Sequence, residues 1–277
     1  MPFIESLLRI ILAVLIAIPL LLYPFLYFMQ ERLIFIERKM DNDVLEKIRK
    51  EYPNTEVRIK TPDNVILHGW FVKNSTEEQS PLLIYFGGNA EEVSGHLMEI
   101  DFFKGWSLLF VNYRGYGLSS GKPSEKHLFN DALLLYDTFS KRADINHNKI
   151  VVIGRSLGTG VAVYLAAQRA LKGVVLVSPY DSIRSLGQER FPYVPVSLLL
   201  KHPFDVMGYA PSIKIPMLAL IAQDDEIISP PHSFALIKAW GGSTHQRIIP
   251  NTGHNEITMG QGYWENIITF LDQLKND

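Results

Sequence analysis

Cysteine is absent from the 277 residues, so disulfides, thiolate nucleophiles and cysteine-ligated zinc are excluded. The absence says nothing about compartment, because a cysteine-free chain is stable on either side of a membrane. Excess charge of one sign is missing as well: 27 lysines and arginines face 29 acids, for a net charge of −2. Such a balance provides no field to hold a nucleic-acid backbone, and no nucleic-acid partner is expected. The basic cluster Lys47, Arg49 and Lys50 reads as a solvated helix face. Internal repeats and low-complexity stretches are also lacking. Apolar residues make up 47% of the chain, enough for one large core.

From Ile10 to Met29 no side chain is charged. At about 1.5 Å per residue this run reaches about 30 Å, the depth of a hydrocarbon core. Pro19 and Pro24 fall inside it, and membrane helices tolerate proline better than soluble ones do. A cleaved signal peptide would need small residues after the apolar stretch, and Tyr27-Phe28-Met29-Gln30-Glu31-Arg32 offers none. Residues 1–30 are therefore expected to be an uncleaved transmembrane anchor, making the membrane a partner. Residues 31–52 then form a juxtamembrane connector with a short helix capped by Asp41 or Asn42. Flanking charges do not set the orientation: Arg9 and Glu5 lead the run, and Arg32, Arg38 and Lys39 trail it.

Beyond the connector, strand-like and helix-like runs alternate. Strands are expected at 56–60, 65–72, 82–86, 107–111, 150–153, 173–177, 217–221 and 246–249. Helical stretches follow the third strand to about Lys104, then cover 124–141, 157–170 and 263–274. Continuous apolar strands separated by helices indicate a mostly parallel central sheet flanked on both faces. Ligands of such sheets bind at the carboxyl ends of the strands, and that is where chemistry is sought.

At one such end, Ile150 to Ile153 runs into Gly154-Arg155-Ser156-Leu157-Gly158, and a helix former follows. This is a G-x-S-x-G strand–turn–helix, in which a tight strained turn lifts the serine hydroxyl above the sheet. The flanking glycines let helix and strand approach closely. A plain helix cap is the alternative for Ser156, but a cap needs no glycine on both sides. A serine hydroxyl requires a base. Of the eight histidines, His254 alone sits in a loop after the last strand, at the sheet end where Ser156 must lie; the other seven read as satisfied or solvated side chains. The imidazole requires a carboxylate to orient it, and the strand before offers Asp224, Asp225 and Glu226 at its carboxyl end. The resulting order, serine then acid then histidine, is the order this strand–turn–helix fold uses. Asp181, after the strand 173–177, is a weaker candidate acid. For the oxyanion, the backbone N–H of Leu157 is one expected donor, and Asn89 in Phe86-Gly87-Gly88-Asn89-Ala90 is the other, with Gly88 as its rival.

With these motifs in view, the chain from about Glu56 to its end resembles the α/β-hydrolase superfamily. It looks most like membrane-anchored serine hydrolases related to protein depalmitoylating thioesterases. The resemblance rests on Phe86-Gly87-Gly88-Asn89-Ala90, Asn112-Tyr113-Arg114-Gly115-Tyr116-Gly117, Gly154-Arg155-Ser156-Leu157-Gly158, Asp225-Glu226-Ile227-Ile228 and Gly253-His254. It implies an α/β-hydrolase fold over residues 53–277, with a short helical lid at about 180–213. The family places its acid two positions before a hydrophobic pair, which selects Asp225. Two departures are visible: Gly87 stands where the family more often has histidine, and Ala222 where it has glycine. The resemblance further implies cleavage of acyl ester or thioester substrates without metal or organic cofactor. Amide cleavage by a serine peptidase is the alternative reaction, and a non-catalytic binding protein on the same fold the alternative class. In the lid, Phe191, Tyr193, Leu198, Leu199 and Leu200 would either line an acyl pocket or pack against the body or bilayer. Arg155 would meet a substrate anion or tie down a neighbouring loop, and the Asn112–Gly117 loop reads as structural.

Overall fold

A computed structural model describes residues 2–276; the ends of the expected anchor and hydrolase segments, Met1 and Asp277, lie outside the described residues. The chain begins with helix α1 (Pro2–Ile34), one continuous rod despite Pro19 and Pro24. It is longer at both ends than the uncharged run, because Glu5, Arg9, Glu31 and Arg32 are compatible with helix even where they are incompatible with hydrocarbon. Helix α2 (Asn42–Glu51) follows, with the Asp41 side chain accepting from the Asp43 N–H as its cap.

Among the described residues eight strands make one sheet: β1 (Glu56–Lys60), β2 (Ile66–Lys73), β3 (Ser80–Phe86), β4 (Ser107–Val111), β5 (Ile145–Arg155), β6 (Gly173–Val177), β7 (Met217–Ala222) and β8 (Thr244–Ile249). Their order is β1-β2-β4-β3-β5-β6-β7-β8. The β1–β2 and β2–β4 pairs are antiparallel and every other pair is parallel. Strand β5 starts five residues earlier than its apolar run, at Ile145, and passes through Asn146-His147-Asn148-Lys149 before a register shift against β3. Those polar residues lie mostly outside the covered part of the sheet, so hydrophobicity did not mark them as strand.

Helices α3 (Glu125–Phe139) and α4 (Leu157–Gln168) lie over one face with α5 (Ile183–Arg190), α6 (Val196–Leu199) and α7 (Pro230–Ala239), and α8 (Tyr263–Asn276) lies over the other. The stretch after β3 is helical as expected, but as 3-10 turns over Val93–Phe103. Two cores result. Ile84, Leu109, Val152 and Leu176 point to one, and Leu83, Leu108, Val151 and Val175 to the other. In the central strands residues alternate between faces, yet the runs Leu82–Ile84, Leu108–Val111, Val174–Val177 and Met217–Ala222 are apolar throughout because both faces are covered. The carboxyl ends of β3, β5, β6, β7 and β8 thus open toward one rim of the sheet.

Candidate active site

At that rim β5 turns directly into α4 through Ser156, whose φ of 51° and ψ of −118° lie in a sparsely populated region for a residue with a side chain. The two glycines around it make the turn possible. A Cβ on Gly158 would stand 2.1 Å from the Phe86 carbonyl oxygen, and one on Gly154 2.5 Å from the Gly158 oxygen. Their absence lets α4 seat against β3 and β5, and this packing holds the turn in its strained form.

His254 follows β8 on a loop and reaches back over this turn. Its Nε2 lies 2.9 Å from Ser156 Oγ, which donates to it. Its Nδ1 lies 2.8 Å from Asp225 Oδ2 and 2.9 Å from Oδ1. Asp225 stands just past β7, where its Oδ1 also accepts from the Ile227 and Ile228 N–H groups at 3.0 and 2.7 Å. All three residues are nearly out of solvent, at 8% exposure for Ser156 and 5% for Asp225 and His254. Burial works against the Asp225 carboxylate, but the hydrogen bonds from His254 and the Ile228 N–H outweigh it and hold its pKa below the usual value. Asp224 is exposed and Asp181 faces elsewhere: Asp181 accepts from the Ser182 N–H, Ser185 and His232.

The loop after β3 lies against the serine, with the α-carbon face of Gly88 turned toward Ser156 Cβ. The Gly88 N–H is engaged, donating to Glu91 Oε2 at 2.7 Å. Among the described residues no acceptor is bonded to the N–H of Asn89 or of Leu157. The Asn89 side chain is held by its Oδ1, which accepts from the Ile36 N–H at 2.7 Å and from Tyr116 Oη at 3.0 Å. The Asn112–Gly117 loop is thus a brace for the donor loop, for Tyr113 Oη also donates to the Gly87 carbonyl at 2.8 Å. No stretch of sequence near position 87 announces that dependence.

Glu91 escaped sequence reading altogether. Its Oε2 takes Gly88 N–H and Arg155 Nη1, and its Oε1 takes Tyr85 Oη at 2.7 Å and His96 Nε2 at 2.5 Å. Arg155 continues toward the His254 carbonyl at 3.5 Å, so it ties loops together. Despite burial, the bonds from His96 and Arg155 hold the Glu91 pKa down to about 2. His96 suffers the same burial, yet its bonds to Glu91 and Glu99 hold its pKa up to about 9. Histidines 68 and 96 are accordingly not solvated: His68 is buried against Glu56, and His96 joins Glu91 to Glu99.

A cavity of about 450 Å³ opens at Ser156 and Leu157. Its other walls come from the excursion between β6 and β7, chiefly α5 and α6, from the last turns of α1, and from Asn89 and the Glu226–Ile228 loop after β7. Among the described residues no group of acids and histidines is arranged to hold a metal ion. The arrangement can transfer a proton from a hydroxyl to an imidazole and stabilise an oxyanion beside an apolar chamber.

Comparison with known proteins gives matching results. A family model described as serine hydrolase matches residues 136–273, and one described as α/β hydrolase fold matches 65–198. Protein bem46 of Schizosaccharomyces pombe is 30% identical over 92% of this chain and 90% of its own. An uncharacterized membrane protein of Saccharomyces cerevisiae is 31% identical over 95% and 96% respectively. Among solved structures, an acetyl xylan esterase from Paenibacillus superposes with a TM-score of 0.66 at 20% identity, covering 88% of this chain and 98% of that one.

Proposed function

The chain belongs to the α/β-hydrolase family, and on that premise we propose that it is a membrane-anchored serine hydrolase that cleaves carboxylic ester or thioester bonds of acylated or lipid-like substrates. The observation that carries this reading is the unbroken chain of hydrogen bonds from Ser156 through His254 to Asp225 at the mouth of an apolar cavity. In the proposed reaction His254 Nε2 takes the Ser156 proton as Oγ attacks the acyl carbon. Asp225 keeps the imidazole in the tautomer that leaves Nε2 free and stabilises its charged form. The N–H groups of Leu157 and Asn89 receive the developing oxyanion. Imidazolium then protonates the departing alcohol or thiol, leaving Ser156 acylated; a water deprotonated by His254 attacks the acyl carbon, and the imidazolium returns that proton to Ser156 Oγ as the acid departs. Beyond that water, each step uses only side chains and backbone of this chain. Helix α1 supports the anchoring, since an 18-residue window within Phe3–Ile34 has a mean hydropathy of 2.5 and none of that window is buried by the rest of the protein.

The test is labelling with a fluorophosphonate probe together with turnover of p-nitrophenyl and acyl-thiol substrates. Wild-type protein is expected to label and turn over. Ser156→Ala should abolish labelling and lower kcat by several orders of magnitude while the thermal unfolding curve stays close to wild type. Equal turnover by wild type and Ser156→Ala would falsify the assignment.

A further inference from the structure

We infer that the end of helix α1 is one wall of the acyl-binding cavity, so that the substrate is a long-chain acyl ester or thioester still seated in the bilayer, entering sideways between anchor and lid. The inference rests on the serine hydrolase reading and adds what that reading leaves open, the source and length of the acyl group.

The cavity begins at Ser156, and much of its lining is not on the hydrolase core. Leu26, Leu33 and Ile34 come from α1, and Leu186, Leu199 and Leu200 from the segment facing it. A membrane anchor that served only as a tether would need no specific contact with the catalytic domain. This one makes several. Gln30, a buried residue of α1, donates from Nε2 to the Leu199 carbonyl at 2.9 Å and accepts the Lys201 N–H at 2.7 Å. Tyr23 Oη donates to the Tyr193 carbonyl at 3.2 Å, and Lys201 Nζ stands 4.5 Å from the Tyr27 ring. The residues just after the helix hold the oxyanion loop, through Ile36 N–H on Asn89. Anchor, lid and site are therefore one assembly.

Depth points to the source of the substrate. Tyr23 lies six residues before Met29, the end of the uncharged run, or about 9 Å along the helix axis. The lid tip bonded to Tyr23 is therefore level with the outer part of the hydrocarbon, within the roughly 5–10 Å that interfacial segments penetrate. Its surface agrees: Tyr193 and Leu198 are 92% and 84% exposed and face no other part of the protein. In water such a patch would be a liability, whereas tyrosine and leucine beside an anchor helix suit the membrane boundary. A chain entering here exchanges lipid for an apolar wall and need not cross water.

The test uses the full chain reconstituted in phosphatidylcholine vesicles, with p-nitrophenyl esters from acetyl to hexadecanoyl and a hexadecanoyl thioester of a vesicle-bound peptide. Leu26→Trp fills the cavity from the anchor side, about 12 Å along the helix from Ile34. Leu200→Trp fills it from the lid side and covers the case in which the first variant disturbs the anchor. Each buried methylene is worth about fourfold in binding, so losing room for two should lower the long-to-short ratio of kcat/KM by roughly fifteenfold. The thioester peptide should be cleaved on the enzyme's own vesicles and spared on separate ones. An unchanged ratio in both variants, or equal cleavage on separate vesicles, overturns the inference while fluorophosphonate labelling of Ser156 keeps the catalytic reading intact. A wild type that neither labels nor turns over any ester overturns both.

Discussion

At the scale of single residues, the two adjacent aspartates separate a charge that orients from a charge that is merely solvated. Asp225 has both carboxylate oxygens on His254 and two backbone N–H groups behind it, whereas Asp224 is exposed. Asp225→Asn would present an amide to Nδ1 and favour the wrong imidazole tautomer, so kcat should fall by about 10⁴-fold. Asp224→Asn should leave kcat within about twofold, by the ordinary tolerance of exposed sites. Steady-state kinetics on one ester decides between them, and a larger loss at Asp224 would refute the assignment. The serine, the histidine and the acidic run were all legible as residue types at strand ends. Choosing between the neighbouring acids rested on the family resemblance alone, since both occupy a loop and only the direction of the side chain separates them. Glu91 was illegible for a related reason. One of two adjacent glutamates a few residues past a glycine pair has no pattern, and its role arises from Gly88, Tyr85, His96 and Arg155 meeting around it.

Among elements, the seat of α4 on the sheet sets the active-site geometry. Because the missing side chain of Gly158 would collide with backbone, which cannot rotate away, Gly158→Ala should force α4 off β3. Overpacking of this kind costs about 1–3 kcal/mol, visible as a lower denaturation midpoint, and it should lower kcat as well because the Leu157 N–H moves with the helix. An unaltered midpoint would mean that the close approach is dispensable. The buried parallel strands were readable because both faces demand apolar side chains, which leaves continuous runs such as Ser107–Val111 and Gly173–Val177. Helix α7 went unassigned although Ser229-Pro230-Pro231 is a reasonable start, since its later residues carry little periodic pattern.

For the whole molecule, Glu91 bonds His96 in the turns after β3 and Arg155 at the end of the serine-bearing strand, so the charge state of the Glu91–His96 pair reports on global stability. His96 is held at about 9, above its ordinary 6.5, so its stabilising contribution is complete below 6.5 and is lost as pH rises toward 9. Glu91 is held at about 2 against an ordinary 4.5, so its contribution is present above 4.5 and is lost as pH falls toward 2. The pair therefore stabilises most between these windows. Melting temperature should decline between pH 6.5 and 9 in the wild type, and His96→Gln should flatten that decline. A wild type and variant with parallel curves would remove the pair from the account. At the same scale, the full chain should stay with membranes after an alkaline carbonate wash, and release into the supernatant would count against the anchor.

Periodicity, hydropathy and spacing sufficed for whatever depends on neighbours along the chain: an anchor-length apolar helix, a two-faced parallel sheet, and a serine at a strand–helix turn. These follow from local rules, since burial on both faces of a strand or a span of hydrocarbon imposes composition on consecutive residues. Folding in three dimensions was needed wherever partners lie far apart in sequence. The contact between Gln30 and Leu199, the brace from Tyr116 to Asn89 and the bond from Arg155 to Glu91 leave no periodic trace. Each is a single directional contact, and direction is a property of the packed chain.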